Sequence, residues 1–111
     1  MVRIQDSVSR HIQQMVKRIV TQFHPEKIIL FGSHARGDGT ADSDVDLLVV
    51  MNVSGSKRQQ ATAIDLSLGG IPLPADIIVA TPKEVVTYRD TIGSIIREAA
   101  HEGKVLYEGA A

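Results

Sequence analysis

Ile28-Ile29-Leu30-Phe31-Gly32-Ser33 and, ten residues further on, Asp44-Val45-Asp46-Leu47-Leu48-Val49-Val50-Met51 are the stretches whose reading decides the fold. Each contains a short apolar run next to turn-forming residues, the length of a strand rather than a helix. Asp46 is the only charge between Val45 and Met51. Period two along a strand puts Asp44 and Asp46 on one face, side by side. Carboxylates that close repel, so the pair favours a shared proton or a bound cation. Gly32-Ser33, at the end of the first run, offers close-approach backbone N–H groups and a hydroxyl to an anion. A cation site beside a phosphate cradle points to chemistry on a metal–nucleotide complex.

A third carboxylate opens another β-branched run, Asp76-Ile77-Ile78-Val79-Ala80. The segment between the second and third runs is long enough for a crossover helix, roughly a dozen residues or more. A right-handed strand–helix–strand unit leaves its strands parallel, with their starts at one end of the sheet. Asp76 is then expected alongside Asp44 and Asp46. Oxygen ligands with room for water and phosphates are what Mg²⁺ prefers.

The remaining chain reads as α-β-(short α)-β-α-β-α-α-β. Val8, Ile12, Met15, Val16, Ile19, Val20 and Phe23 recur at helical spacing, which predicts a helix near residues 6–23 ended by His24-Pro25. Ser56 is placed to cap a helix through Leu68, with Ala61, Ile64 and Leu68 inward and Gly69-Gly70 ending it. Thr81-Pro82-Lys83-Glu84 has the form of a capping box with proline at the first helical position. Ile92, Ile95, Ile96, Ala99 and Ala100 mark a last helix, closed by Gly103 before the short run Val105-Leu106-Tyr107. No internal repeat, linker or low-complexity segment interrupts this pattern.

Composition bounds the class. A chain of 111 residues, 43% of them hydrophobic, is expected to form one domain over residues 1–111 with a real core. Having no cysteine, it holds no disulfide, thiolate metal site or cysteine nucleophile. Met1-Val2-Arg3-Ile4-Gln5-Asp6 turns polar at once and no apolar run approaches a membrane span, so a cytoplasmic protein without membrane contact is expected. The net charge of −1, with scattered Lys and Arg, lacks the basic excess of a protein gripping nucleic acid.

The sequence resembles the minimal nucleotidyltransferase domains of the DNA polymerase β-like superfamily. The resemblance rests on Gly32-Ser33, the ten-residue spacing, Asp44-Val45-Asp46 and Asp76 at the head of a later strand. Ser33-His34-Ala35-Arg36-Gly37 and Ala75-Asp76-Ile77-Ile78-Val79 extend it over nearly the whole chain. It implies an α/β (α+β) fold, a small mixed sheet with helices packed on it. It also implies Asp44, Asp46 and Asp76 as catalytic ligands of two Mg²⁺ ions, with Asp76 as ligand or base. Gly32, Ser33 and Arg36 would contact ATP, the nucleotide donor. Larger relatives carry a further helical domain for base and acceptor, for which this chain has no room, so it is expected to depend on a partner or a dimer. The resemblance names a partner: an all-helical HEPN ribonuclease toxin, with this chain as antitoxin, a hetero-oligomer with that toxin, and AMP transferred to a toxin tyrosine. That step rests on analogy.

Each residue also has a plainer reading. Asp44 could cap a turn and Asp46 face solvent, but aspartate is depleted in strands and an unpaired buried charge is costly. Asp76 alone reads equally as a strand opener. Ser33 could be the N-cap of a short helix Ser33–Arg36, and capping and phosphate binding use the same N–H groups. Arg36 either reaches the triphosphate or pairs with Asp38, Asp42 or a site carboxylate. His34 reads as a surface histidine, and His11, His24 and His101 lack ligand spacing. Asp42 and Ser43 are candidates for outer bonds to the metal site. Two other functions stay open: an antitoxin that neutralises by binding alone, and a nucleotidyltransferase for a small molecule such as an aminoglycoside.

Overall fold

The computed structural model describes residues 4–109, so the outermost residues of the expected 1–111 unit, including Met1-Val2-Arg3, lie outside it. The first helix, α1 (Ile4–Phe23), turns its apolar stripe inward: Met15 and Ile19 are fully buried and Ile12 nearly so. It ends where His24 adopts a left-handed backbone (φ 51°) before Pro25. Strands β1 (Lys27–Phe31), β2 (Val45–Val50), β3 (Ala75–Ala80) and β4 (Lys104–Glu108) form one sheet in the order β3-β2-β1-β4. β1 is antiparallel to both β2 and β4, whereas β2 and β3 are parallel, as the crossover reading requires.

Both faces of the sheet are covered. Val45, Leu47 and Val49 of β2 point, with Ile28, Leu30, Ile77 and Val79, towards α1 and the buried Ile64 of α3 (Lys57–Ser67). Leu48 and Val50 point the other way, with Ile29, Phe31 and Ala80, towards α4 (Pro82–Tyr88) and α5 (Ile95–Glu102). Covering on both sides is why β2 reads as an unbroken apolar run with a single charge. Each fully buried side chain of this kind stabilises the fold by about 1.5–3 kcal/mol.

The helix ends carry out the sequence signals. Ser56 Oγ accepts from the Gln59 N–H at 3.2 Å. Thr81 and Glu84 form the reciprocal capping box, and Glu84 also meets Lys57 on α3. Hydrogen bonding from Lys57, then from the Thr81 N–H, holds the Glu84 carboxyl below its ordinary range. At the other end of α3, the Arg18 guanidinium donates to the carbonyls of Ser67 (3.0 Å) and Gly69 (2.7 Å), groups a helix C-terminus leaves unpaired.

The last helix departs from the expectation. It starts at Ile95, capped by Ser94, and Ile92 lies outside it, 88% exposed. Gly93 is left-handed (φ 86°) and breaks the run, so the apolar period was extended one turn too far. Ala100 is likewise exposed, while Ala99 is buried. The element α2 (Ser33–Arg36) is a single turn closed by left-handed Gly37.

Candidate active site

The parallel register sets Asp46 directly opposite Asp76, and the antiparallel register sets Asp46 opposite Phe31. Neighbouring strands lie about 4.8 Å apart, so the backbone alone brings the two carboxylates side by side. Both share the sheet face of Leu48, Val50, Ile78 and Ala80, the face covered by α4 and α5. The Val45 N–H donates to the Pro74 carbonyl at 2.8 Å, which fixes the two strand starts together. Asp44 lies one residue before β2, exposed.

Electrostatics identifies Asp46 as the centre. Partial burial pushes its carboxyl above the ordinary aspartate range, and the charges of Asp76, Asp44 and Glu98 push it further; His34 acts in the opposite sense. Asp44 and Asp76, singled out with Asp46 from the sequence, both lie within electrostatic reach of it. Among the described residues, though, no three His, Cys, Asp or Glu side chains converge closely enough to hold a metal ion. Charged oxygen donors are the chemistry a hard divalent cation takes, and Asp46 with Asp76 fits it, with Asp44 at hand.

Gly32 stands against this carboxylate. Its backbone (φ 76°, ψ −155°) lies in a region essentially reserved for glycine, and a Cβ there would collide with Asp46 Oδ2. The close approach that glycine allows is thus, within the protein, an approach to Asp46. Gly32 also serves as the N-cap of α2 by backbone alone, so Ser33 is not the cap; it is the first helical residue. The Ser33 hydroxyl has no intramolecular hydrogen-bond partner among the described residues. Arg36 Nε lies 3.7 Å from Asp38, both side chains more than half exposed.

Three further residues depart from the sequence reading. Ser43 and Asp42 direct their bonds into their own loop: Ser43 Oγ accepts from the Thr40 N–H (3.1 Å), and Thr40 Oγ1 accepts from the Asp42 N–H (3.3 Å). They are not joined to Asp44 or Asp46. His34 is half-buried, its Nε2 3.1 Å from the Ser43 carbonyl. Glu98 of α5, unnoticed in the sequence, adds its negative charge to those acting on Asp46; its one signal is that it precedes Ala99, a buried residue packed on this face of the sheet. A cavity of about 720 Å³ lies elsewhere, between α1 and β4, lined by Ile12, Val16, Leu30 and Leu106; it shares His34 with the site but not the carboxylates.

Residues 12–105 match the model of the nucleotidyltransferase domain family. The chain is 37% identical over 83 residues to "Putative protein adenylyltransferase MJ0604" of Methanocaldococcus jannaschii, covering 74% of this chain and 78% of that protein. It is 32% identical over 79 residues to "Putative protein adenylyltransferase MJ0141" of the same organism, covering 70% and 75% respectively. The crystal structure of a "putative nucleotidyltransferase" from Sulfolobus solfataricus superposes with a TM-score of 0.65 at 20% identity, over 94% of this chain and 83% of that one, a likeness of fold.

Proposed function

Because the chain belongs to the nucleotidyltransferase domain family, we propose that it transfers AMP from ATP to a tyrosine of a partner protein, a helical HEPN ribonuclease toxin, and thereby acts as its antitoxin. The observation that carries this reading is the paired register of Asp46 and Asp76 beside the Gly32-Ser33 turn. Asp44, Asp46 and Asp76 would hold two Mg²⁺ ions. When bound, these supply charge neutralisation at the phosphates and a lowered pKa at the attacking hydroxyl.

The chain's own groups do the rest. The unpartnered Ser33 hydroxyl and the N–H groups at the start of α2 hold the β- and γ-phosphates. The phenol oxygen attacks the α-phosphorus in line, the bond to the bridging oxygen of pyrophosphate breaks, and the exposed Asp76 carboxylate takes up the phenolic proton. A phenol suits this site, since its pKa of about 10 lies well below that of an aliphatic alcohol. A protein acceptor agrees with the net charge of −1 and with the names of the M. jannaschii relatives. It agrees also with Val86, Tyr88, Ile92 and Ile95, apolar side chains left exposed on and between the helices covering the carboxylate face. The added phosphodiester would set negative charge near the toxin's RNA site and repel RNA phosphates.

The test is incubation with Mg²⁺, α-labelled ATP and the helical partner. Label on a partner tyrosine, lost with Asp46→Asn, is the expected outcome. Neutralisation of the toxin by Asp46→Asn without label would overturn catalysis in favour of binding alone. Label appearing only on an added aminoglycoside would overturn the protein acceptor.

A further inference from the structure

We infer that His34 is a positioning residue: its imidazole ties the loop of residues 37–43 to α2 and so fixes the point at which Asp44 enters the site. The significance for catalysis rests on the function proposed above; the tie itself does not.

Three observations carry it. The loop is cross-linked within itself, because Ser43 N–H donates to the Thr40 carbonyl at 3.0 Å and the Ser43 and Thr40 hydroxyls lie 3.2 Å apart. Residues 40–43 thus form a closed, internally hydrogen-bonded turn. Its side-chain link back to α2 is His34 Nε2 to the Ser43 carbonyl, 3.1 Å. A carbonyl only accepts, so the histidine donates there through its Nε2–H. Finally, the ring lies flat against the loop: a Cβ on Gly39 would fall 2.6–2.9 Å from Nδ1, Cγ and Cε1. Glycine at position 39 makes room for the imidazole, and position 34 supplies a ring that reaches both Gly39 and Ser43. The backbone N–H groups of Gly37 and Asp38 donate to the Ser33 carbonyl (3.1 Å each) and anchor only the start of the loop; the other side-chain link, Arg36 to Asp38, is long and exposed, and such pairs contribute little. Asp44 follows Ser43 directly, so freedom of this turn becomes freedom of the first carboxylate.

The experiment compares the full-length protein with His34→Gln, which retains an N–H donor at the reach of Nε2, His34→Phe, which retains the ring alone, and His34→Ala. Backbone ¹⁵N relaxation reads the tie without reference to activity. Order parameters of residues 39–43 are expected near the rigid value of about 0.85 in the native protein and His34→Gln, and to fall below about 0.6 in His34→Ala and His34→Phe. The second readout is the Mg²⁺ concentration for half-maximal thermal stabilisation by ATP. It is expected to rise roughly fivefold in His34→Ala and His34→Phe, the effect of one lost hydrogen bond, and to recover in His34→Gln. A rigid loop in His34→Ala and His34→Phe, or equal loosening in all three variants, would overturn the inference. If native protein shows no stabilisation by Mg²⁺ and ATP while the order parameters behave as stated, the proposed function fails and the tie stands.

Discussion

Gly32→Ala tests whether the Gly32-Ser33 turn and the carboxylates form one unit. Alanine must take up φ 76°, ψ −155°, which costs of order 1–3 kcal/mol. Its Cβ must also displace the Asp46 carboxylate, an overpacking that typically costs another 1–3 kcal/mol. Against these, the stiffer unfolded chain returns about 0.4–1 kcal/mol. The net loss expected is about 3 kcal/mol, or about 12 °C in Tm at the roughly 4 °C per kcal/mol of a domain this size. Gly37→Ala is the control, because Gly37 is also left-handed (φ 91°) yet nothing lies within 4 Å of its added Cβ. It should lose only about 1 kcal/mol. Thermal and urea melts of both variants, repeated in an Asp46→Ala background, separate strain from collision. The Gly32→Ala penalty should shrink by about 1–2 kcal/mol when the carboxylate is gone. A Gly32→Ala protein as stable as Gly37→Ala, or a penalty indifferent to Asp46, would refute the contact.

Asp46→Asn should raise stability at pH 7 without divalent cations by up to about 1 kcal/mol, the scale of like-charge neighbours across strands. The sign follows from a folded pKa above the unfolded value of 3.8: the native state binds the proton more tightly, so stability falls as pH rises through that window and the gain from Asn vanishes at its acid end. Melts from pH 3 to 8 check this, and Mg²⁺ should then stabilise the native protein more than the variant; a lower Tm for Asp46→Asn at pH 7 would contradict it. Asp76→Asn should leave ATP affinity within a few-fold while lowering the transfer rate by about 10²-fold or more, read by initial rates at saturating ATP. Thr81→Ala removes the cap that holds α4 at the end of β3 and should cost about 1 kcal/mol in urea titration.

Much of this site was legible because it is written in backbone register. Asp46 stands out as one charge in a run buried on both sides, and the parallel crossover that places Asp76 opposite it follows from segment length and strand chemistry. Caps at Ser56 and Thr81 are local, so the residues forming them lie within one turn of each other in the sequence. What escaped depends on how elements lie across one another. Glu98 acts on Asp46 because α5 packs on the sheet through Ala99, which no helical period reveals. His34 gains its partner through the folding back of a loop, and Ser43 turns to Thr40 rather than to the carboxylates for the same reason. The misplaced start of α5 is different: Ile92 fits the apolar period, and only the left-handed backbone at Gly93 removes it from the helix.

The parallel pairing of β2 with β3 carries a consequence for the order in which the chain acquires its chemistry. Asp44 and Asp46 are neighbours from the moment they are synthesised, but Asp76 meets them only when the segment carrying α3 has closed and the strands have zipped together. Such non-local pairing is slow compared with helix formation and comes after the loop entropy has been met. The repulsion between Asp76 and the other two carboxylates therefore arises only with this non-local pairing. A chain in which β2 and β3 have not paired lacks the juxtaposition of Asp46 and Asp76 altogether. A ligand that needs both carboxylates therefore binds only the form in which β2 and β3 are paired, and stabilises it.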